Sequence, residues 1–184
     1  MAYDQRLMEM WRALPVLEGD TLPRRSKVKS SYISSMLPNC WQLDWQAEDR
    51  MIIEYEGTEV DSMWGDTLTG EDYLASYSGE KKQMLLSFYS ALFDARCGAT
   101  IVRSIRRAGS QPYLLVTNFV PMLSKDGERR IIFGNSEMHG DYKESVGRLD
   151  FDSAEMVSAA FIDLGNGVPE NEPFPNKTNS GATE

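Results

Sequence analysis

The stretch Gln111–Leu123 (QPYLLVTNFVPML) is the feature that most narrows the folds open to this chain. It is rich in β-formers, and a second such run, Arg130–Met138, follows the turn Ser-Lys-Asp-Gly-Glu-Arg. Gly127 takes positive φ without steric cost, so the two runs read as an antiparallel hairpin. Leu115, Phe119 and Leu123 alternate with Leu114, Val116, Val120 and Met122, so neither side of the first strand is polar. Such a strand needs cover on both faces of its sheet. Pro121 has no N–H for a ladder, which places it at a bulge or where the strand loses a neighbour.

The cover is found elsewhere in the chain. Glu80 to Arg96 carries Leu85, Phe88, Tyr89 and Leu92 at i, i+3, i+4 and i+7, with Gly98 just beyond, and predicts the longest helix. Residues 4–14 repeat the spacing with Leu7, Met10, Trp11 and Leu14, between Asp4 as N-cap and Pro15 as a stop. A Pro- and Arg-containing loop spans 15–29, and a short helix from Ser30 ends before Pro38. Cys40–Gln46 and Met51–Glu56 read as strands, Thr58–Gly65 as a short helix, Glu71–Leu74 as a further helical turn, and Ala99–Arg107 as a third strand. That third strand puts Ile101, Arg103, Ile105 and Arg107 on one side, Thr100, Val102, Ser104 and Arg106 on the other. Beyond Met138 the pattern weakens to one apolar segment, Met156–Leu164, and composition reads as disordered from 165.

A chain of 184 residues fits one ordinary domain with extensions. Its formal charge of −9 opposes non-specific nucleic-acid binding, which relies on clustered cations, although Arg24–Lys29 and Arg103–Arg107 are local basic patches. Cys40 and Cys97 have no paired spacing, the N-terminus lacks the apolar core of a signal peptide, and no run approaches the ~18 apolar residues that span a bilayer. A cytoplasmic, reduced protein without membrane insertion is expected.

Motifs for chemistry are sparse. His139, the single histidine, follows the last hairpin strand instead of lying on a covering helix, so no haem ligand is assigned. Asn39-Cys40-Trp41 begins a strand after Pro38 and does not make a photoreactive flavin site. No Gly-x-Ser-x-Gly, phosphate loop or metal-ligand spacing is present. Glu54 with Glu56, on one strand face by parity, and Asp61 with Asp66 are the carboxylate pairs that a small α+β enzyme would use. Chance supplies such pairs in a chain with 28 acids, and no catalytic residue, metal or cofactor is assigned.

The element order resembles that of a PAS domain, and the motifs are similar to those of stand-alone PAS proteins common in alphaproteobacteria. Trp11-Arg12, Leu37-Pro38, Gly57-Thr58, Trp64-Gly65 and Leu68-Thr69-Gly70 carry the resemblance, joined by Pro121-Met-Leu and its Asp126-Gly127 turn. One departure is that Glu54 and Glu56 stand where the second strand of this group often carries an Arg. The resemblance implies an α+β fold: a five-stranded antiparallel sheet covered by short helices and one long helix, preceded by an N-terminal amphipathic helix. It divides the chain into an extension (1–38), the PAS domain (39–140), a C-terminal extension (141–164) and a disordered tail (165–184). It also implies a bacterial, non-enzymatic regulatory protein that acts by docking to signalling proteins and by self-association. Leu7, Met10, Trp11 and Leu14 are then the expected homodimer contact. The alternative is a sensor that binds a small apolar ligand. Its pocket would be built from Trp64, Leu68, Tyr73, Leu85, Phe88 and Leu92 on the helices and Val102, Leu115, Phe119 and Phe133 on the strands, with Tyr55, Thr117 and Asn135 orienting the ligand.

Overall fold

The computed structural model describes residues 5–64, 67–105, 113–139 and 155–174, and of Trp64 only the backbone. Arg106, Arg107, the Gly109-Ser110 turn, Asp66 and residues 175–184 lie outside the described residues. Among the described residues, helices α1 (Gln5–Arg12), α2 (Ser30–Ile33), α3 (Thr58–Trp64) and α4 (Gly79–Ala95) accompany six strands. These are β1 (Cys40–Ala47), β2 (Arg50–Glu56), β3 (Gly98–Ile105), β4 (Tyr113–Leu123), β5 (Arg130–His139) and β6 (Glu155–Ile162). All pairings are antiparallel, in the order β2-β1-β5-β4-β3-β6. The α+β arrangement expected of the PAS resemblance is therefore present, with one strand more than expected. Among the described residues no helix is long and apolar enough to cross a membrane.

The constraint seen in the sequence has a direct cause: β4 lies inside the sheet, paired with β5 from Leu114↔His139 to Leu123↔Arg130. Gly127 has φ +88° in the connecting turn. Pro121 stays in register opposite Ile132, while the pairing with β3 ends at Phe119. The proline thus stands where one neighbour is lost. Two groups replace that neighbour: the Trp11 indole donates to the Pro121 carbonyl, and the Leu123 N–H donates to the Pro23 carbonyl.

Residues alternate between two covered faces. One face presents Trp41, Leu43, Thr117 and Phe119 to α3, a helical turn at Tyr73–Ser76, and α4, with Phe88 edge-on to Phe119. The other presents Phe133, Ile131 and Val120, and α1 lies on that side. A Cβ placed on Gly98, whose neighbour Ala99 faces the first layer, would come within 2.9 Å of Met8 Sδ. Leu7, Met10, Trp11 and Leu14 are all buried here, at 0–7% exposure, within a single chain. The four side chains expected at a homodimer contact therefore pack on the chain's own sheet.

A buried polar chain crosses the second face, from Thr100 Oγ1 to Asn118 Oδ1 (2.6 Å) and from Asn118 Nδ2 to Asn135 Oδ1 (3.1 Å). Each slip of register would leave one of these groups unpaired, so the chain fixes β3-β4-β5 alignment. Strand β6 extends the sheet beyond β3, with a bulge where Val157 has no partner between Met156 and Ser158. Bulges blunt a sheet edge against further pairing. Phe161 of β6 and Phe174 stack on Phe88 with centroids 5.9 and 4.9 Å away. Residues 165–174, read as disordered from composition, are thus anchored by an aromatic contact that composition does not encode.

Candidate functional site

A cavity of about 80 Å³ lies between the first sheet face, α3 and the Tyr73–Ser76 turn. Of the residues expected around a pocket, Leu68, Tyr73, Thr117 and Phe119 line it. Leu85, Phe88 and Leu92 are buried in the main core, and Leu115 packs with Met63, Ile105 and Tyr113 in a separate apolar cluster. Val102, Phe133 and Asn135 occupy the opposite sheet face, and the Tyr55 hydroxyl donates to the Leu37 carbonyl away from the cavity. The Trp64 side chain lies outside the described residues.

Trp41, Leu43, Ile53, Glu56, Val60, Tyr89, Arg103 and Ser136 complete the lining. Strand parity carried a signal for some of them. Arg103 alternates with buried Ile101 and Ile105, and Ser136 stands opposite Thr117 in the hairpin register. Glu56 was hidden by a bulge. Between Gln42 and Leu43 the β1–β2 register shifts, so Trp41 pairs with Glu56, Gln42 with Tyr55 and Leu43 with Ile53. Glu54 is the extra residue and bonds Gln42 Nε2 on the second face, while Glu56 turns to the cavity. The shared face expected from parity for this carboxylate pair is therefore lost.

The polar groups of the cavity are individually supported. Trp41 Nε1 donates to Ser136 Oγ at 3.0 Å, and that oxygen lies 3.3 Å from Thr117 Oγ1. Trp41 is held flat over Gly134, where an added Cβ would come within 2.3 Å of its ring. Tyr89 donates to Tyr73 across 3.2 Å between hydroxyl oxygens. Burial raises both phenol pKa values, and the positive charge of Arg103 opposes that rise. Burial also raises the Glu56 carboxyl, against the lowering effect of the hydrogen bond it accepts from the Leu68 N–H at 2.8 Å. The result is an apolar chamber with a carboxyl toward one edge of the sheet and a guanidinium toward the other.

Other groups with chemical potential lie apart. On the second face, buried Asp44 is paired with Arg129, and Arg25 covers the Phe133 ring at 4.5 Å while donating to Gln42 Oε1. Burial is the main cause of the raised Glu54 pKa, and Asp44 adds to it. His139 is exposed at the end of β5, 3.8 Å from Glu137. Cys40 and Cys97 are buried, and burial pushes the Cys97 thiol up to about 11, which disfavours the nucleophilic thiolate. Among the described residues no three potential ligands gather into a metal site.

This geometry agrees with comparison to known proteins. No curated protein matches the chain. A family model described as PAS domain matches residues 2–136, from α1 through nearly all of β5. The match takes in every residue that lines the cavity and places the chain in a class of signalling and sensory modules. With that match spanning well over half of its 184 residues, the chain belongs to the PAS domain family.

Proposed function

We propose that the protein is a cytoplasmic, non-enzymatic sensor whose cavity takes a small molecule and whose surface passes the resulting change to signalling proteins. The cavity itself is the observation that carries this reading. Protein interiors are normally packed to the density of organic crystals, so a space left open in one calls for an occupant. Here a space remains open with Glu56 and Arg103 both in its wall. A ligand held there touches α3 and the Tyr73 turn, which are joined to the sheet by few backbone bonds, such as Ile53 N–H to the Glu71 carbonyl. By binding one arrangement of these elements more tightly than another, the ligand shifts their population.

The competing expectation is docking to signalling proteins together with self-association through α1, whose Leu7, Met10, Trp11 and Leu14 are buried on the chain's own sheet. Native mass spectrometry of protein purified without refolding tests the sensor reading. A mass above 20.8 kDa per chain that falls to the bare polypeptide on denaturation is expected. A bare mass, unchanged after incubation with cell metabolite extract, would turn the search to a module working through protein contacts alone.

A further inference from the structure

The aromatic and acidic groups of the cavity wall define the kind of molecule that fits, an inference that rests on the sensor reading above. Trp41 and Glu56 stand directly opposite each other in the β1–β2 pairing, so their side chains leave the sheet side by side on the cavity face. One face of the Trp41 ring rests on Gly134, which leaves the other for the cavity. From Trp41 the aromatic wall continues without a break. Phe119 is 5.3 Å from Trp41 between ring centroids, Tyr89 is 6.0 Å from Phe119, and Tyr73 is 6.1 Å from Tyr89. Ring faces attract cations, and a carboxylate beside them adds to that attraction.

The charges point the same way. The Glu56 carboxylate accepts the Leu68 N–H at 2.8 Å and has further lone pairs to turn toward a cation. Asp61 and Glu71 add their negative charge to its surroundings, and one Asp61 carboxylate oxygen is buried with no hydrogen-bond partner. Among the described residues no lysine or arginine forms an ion pair with any of these three carboxylates. Arg103, the cation of the cavity wall, is engaged within the protein and stands on β3, three interstrand steps from the strand that carries Trp41. That is about 14 Å between strand axes before curvature and side-chain reach, so its repulsion directs a cation to the Glu56 end. A cavity of about 80 Å³ admits roughly five to eight waters, hence a ligand of about as many non-hydrogen atoms. We propose that the ligand is a small organic ammonium ion, its nitrogen between the Glu56 carboxylate and the Trp41 ring, its alkyl groups against Phe119, Tyr89 and Tyr73.

Choline and its neutral isostere 3,3-dimethylbutan-1-ol serve as probes in parallel NMR titrations of the full chain. They have the same shape and differ in charge. Choline is expected to bind at least about thirtyfold tighter, through the ring faces and the carboxylate together. Glu56→Gln keeps an acceptor for the Leu68 N–H and should cut that ratio to roughly fivefold or less, which ring faces alone supply, with the alcohol unchanged. Should the variant fail to fold, the wild-type chain decides. Choline has no titratable proton, so its affinity should fall as acid protonates Glu56, Asp61 and Glu71, while that of the alcohol stays level. Equal affinity for the two probes, a ratio that survives intact in Glu56→Gln, or choline binding indifferent to acid overturns the assignment. Binding of neither probe also overturns it, and the native mass then separates the two readings: a bound mass keeps the sensor reading, and a bare one removes it.

Discussion

Trp11 and Pro121, 110 residues apart, are joined by a hydrogen bond of 2.6 Å from the indole N–H to the proline carbonyl. The bond forms where β4 has run past its last pairing with β3, so a helix side chain finishes a ladder that the sheet leaves incomplete. Replacing Trp11 by Phe keeps most of the apolar contact and strands a buried carbonyl, at a cost of about 1–3 kcal/mol. Trp11→Ala also opens a cavity and should cost about 3–5 kcal/mol. Urea denaturation measures both. Sedimentation of the folded Trp11→Phe variant should match wild type, because the side chain is internal; a change of oligomeric state would show that α1 also serves a second chain.

Gly134 and Trp41 make a second testable pair. The indole lies so close over the glycine that a methyl group there would meet the ring at 2.3 Å and the Asn118 carbonyl oxygen at 2.6 Å. The ring can give way only by shifting, and the Asn118 carbonyl, being backbone in the middle of a sheet, cannot easily retreat. Gly134→Ala is expected to cost about 1–3 kcal/mol, as overpacked cores do. A cost no larger than that of a surface substitution, measured by urea denaturation, would show that the close contact yields without strain.

These relationships show what the sequence made legible and what it withheld. The hairpin of β4 and β5 was readable because both sides of β4 are apolar and Gly127 marks the turn, and α4 because Leu85, Phe88, Tyr89 and Leu92 keep helical spacing. The inward direction of Arg103 was implicit in its alternation with Ile101 and Ile105. Parity failed at Glu54 and Glu56 because a bulge inserts one residue, and nothing in the local sequence marks it. The pocket residues expected from hydrophobicity were over-counted for a related reason: Phe88, Leu92 and Phe133 are apolar enough to line a cavity and equally apt to fill a core. Strand β6 was legible only as the apolar segment Met156–Leu164, because EMVSAAFI is short and is held as a strand by long-range pairing with β3 and by the contact between Phe161 and Phe88.

The C-terminal segment should contribute to stability although it lies beyond the family match. Phe88 is stacked on Phe161 and Phe174, and Leu164 is buried in the same core. Between them the Asp163 carboxylate accepts the N–H groups of Gly165, Asn166 and Gly167, and Arg12 donates to the Asp163 carbonyl. Phe174→Ala removes a half-buried ring and is expected to cost about 1–3 kcal/mol by thermal or urea unfolding. Ending the chain after residue 154 should cost considerably more, since the whole β3 edge is then unpaired. Equal stability of the truncated and full chains would mean that β6 is an adornment to the sheet.

Glu56 gives a pH signature. Its folded-state pKa is raised, chiefly by burial, so between the ordinary carboxylate value and that raised value the folded chain binds more protons than the unfolded one. Stability attributable to this residue therefore falls as pH rises through that window and is recovered as pH drops below it. Glu56→Gln removes the charge and keeps an oxygen to accept the Leu68 N–H. At pH 7 the variant should melt higher than wild type, and the gap should close as pH falls toward the ordinary carboxylate range, where wild-type Glu56 is protonated. A melting difference that stays constant from pH 7 to pH 4 would show that Glu56 acts through packing, with its ionisation playing no part.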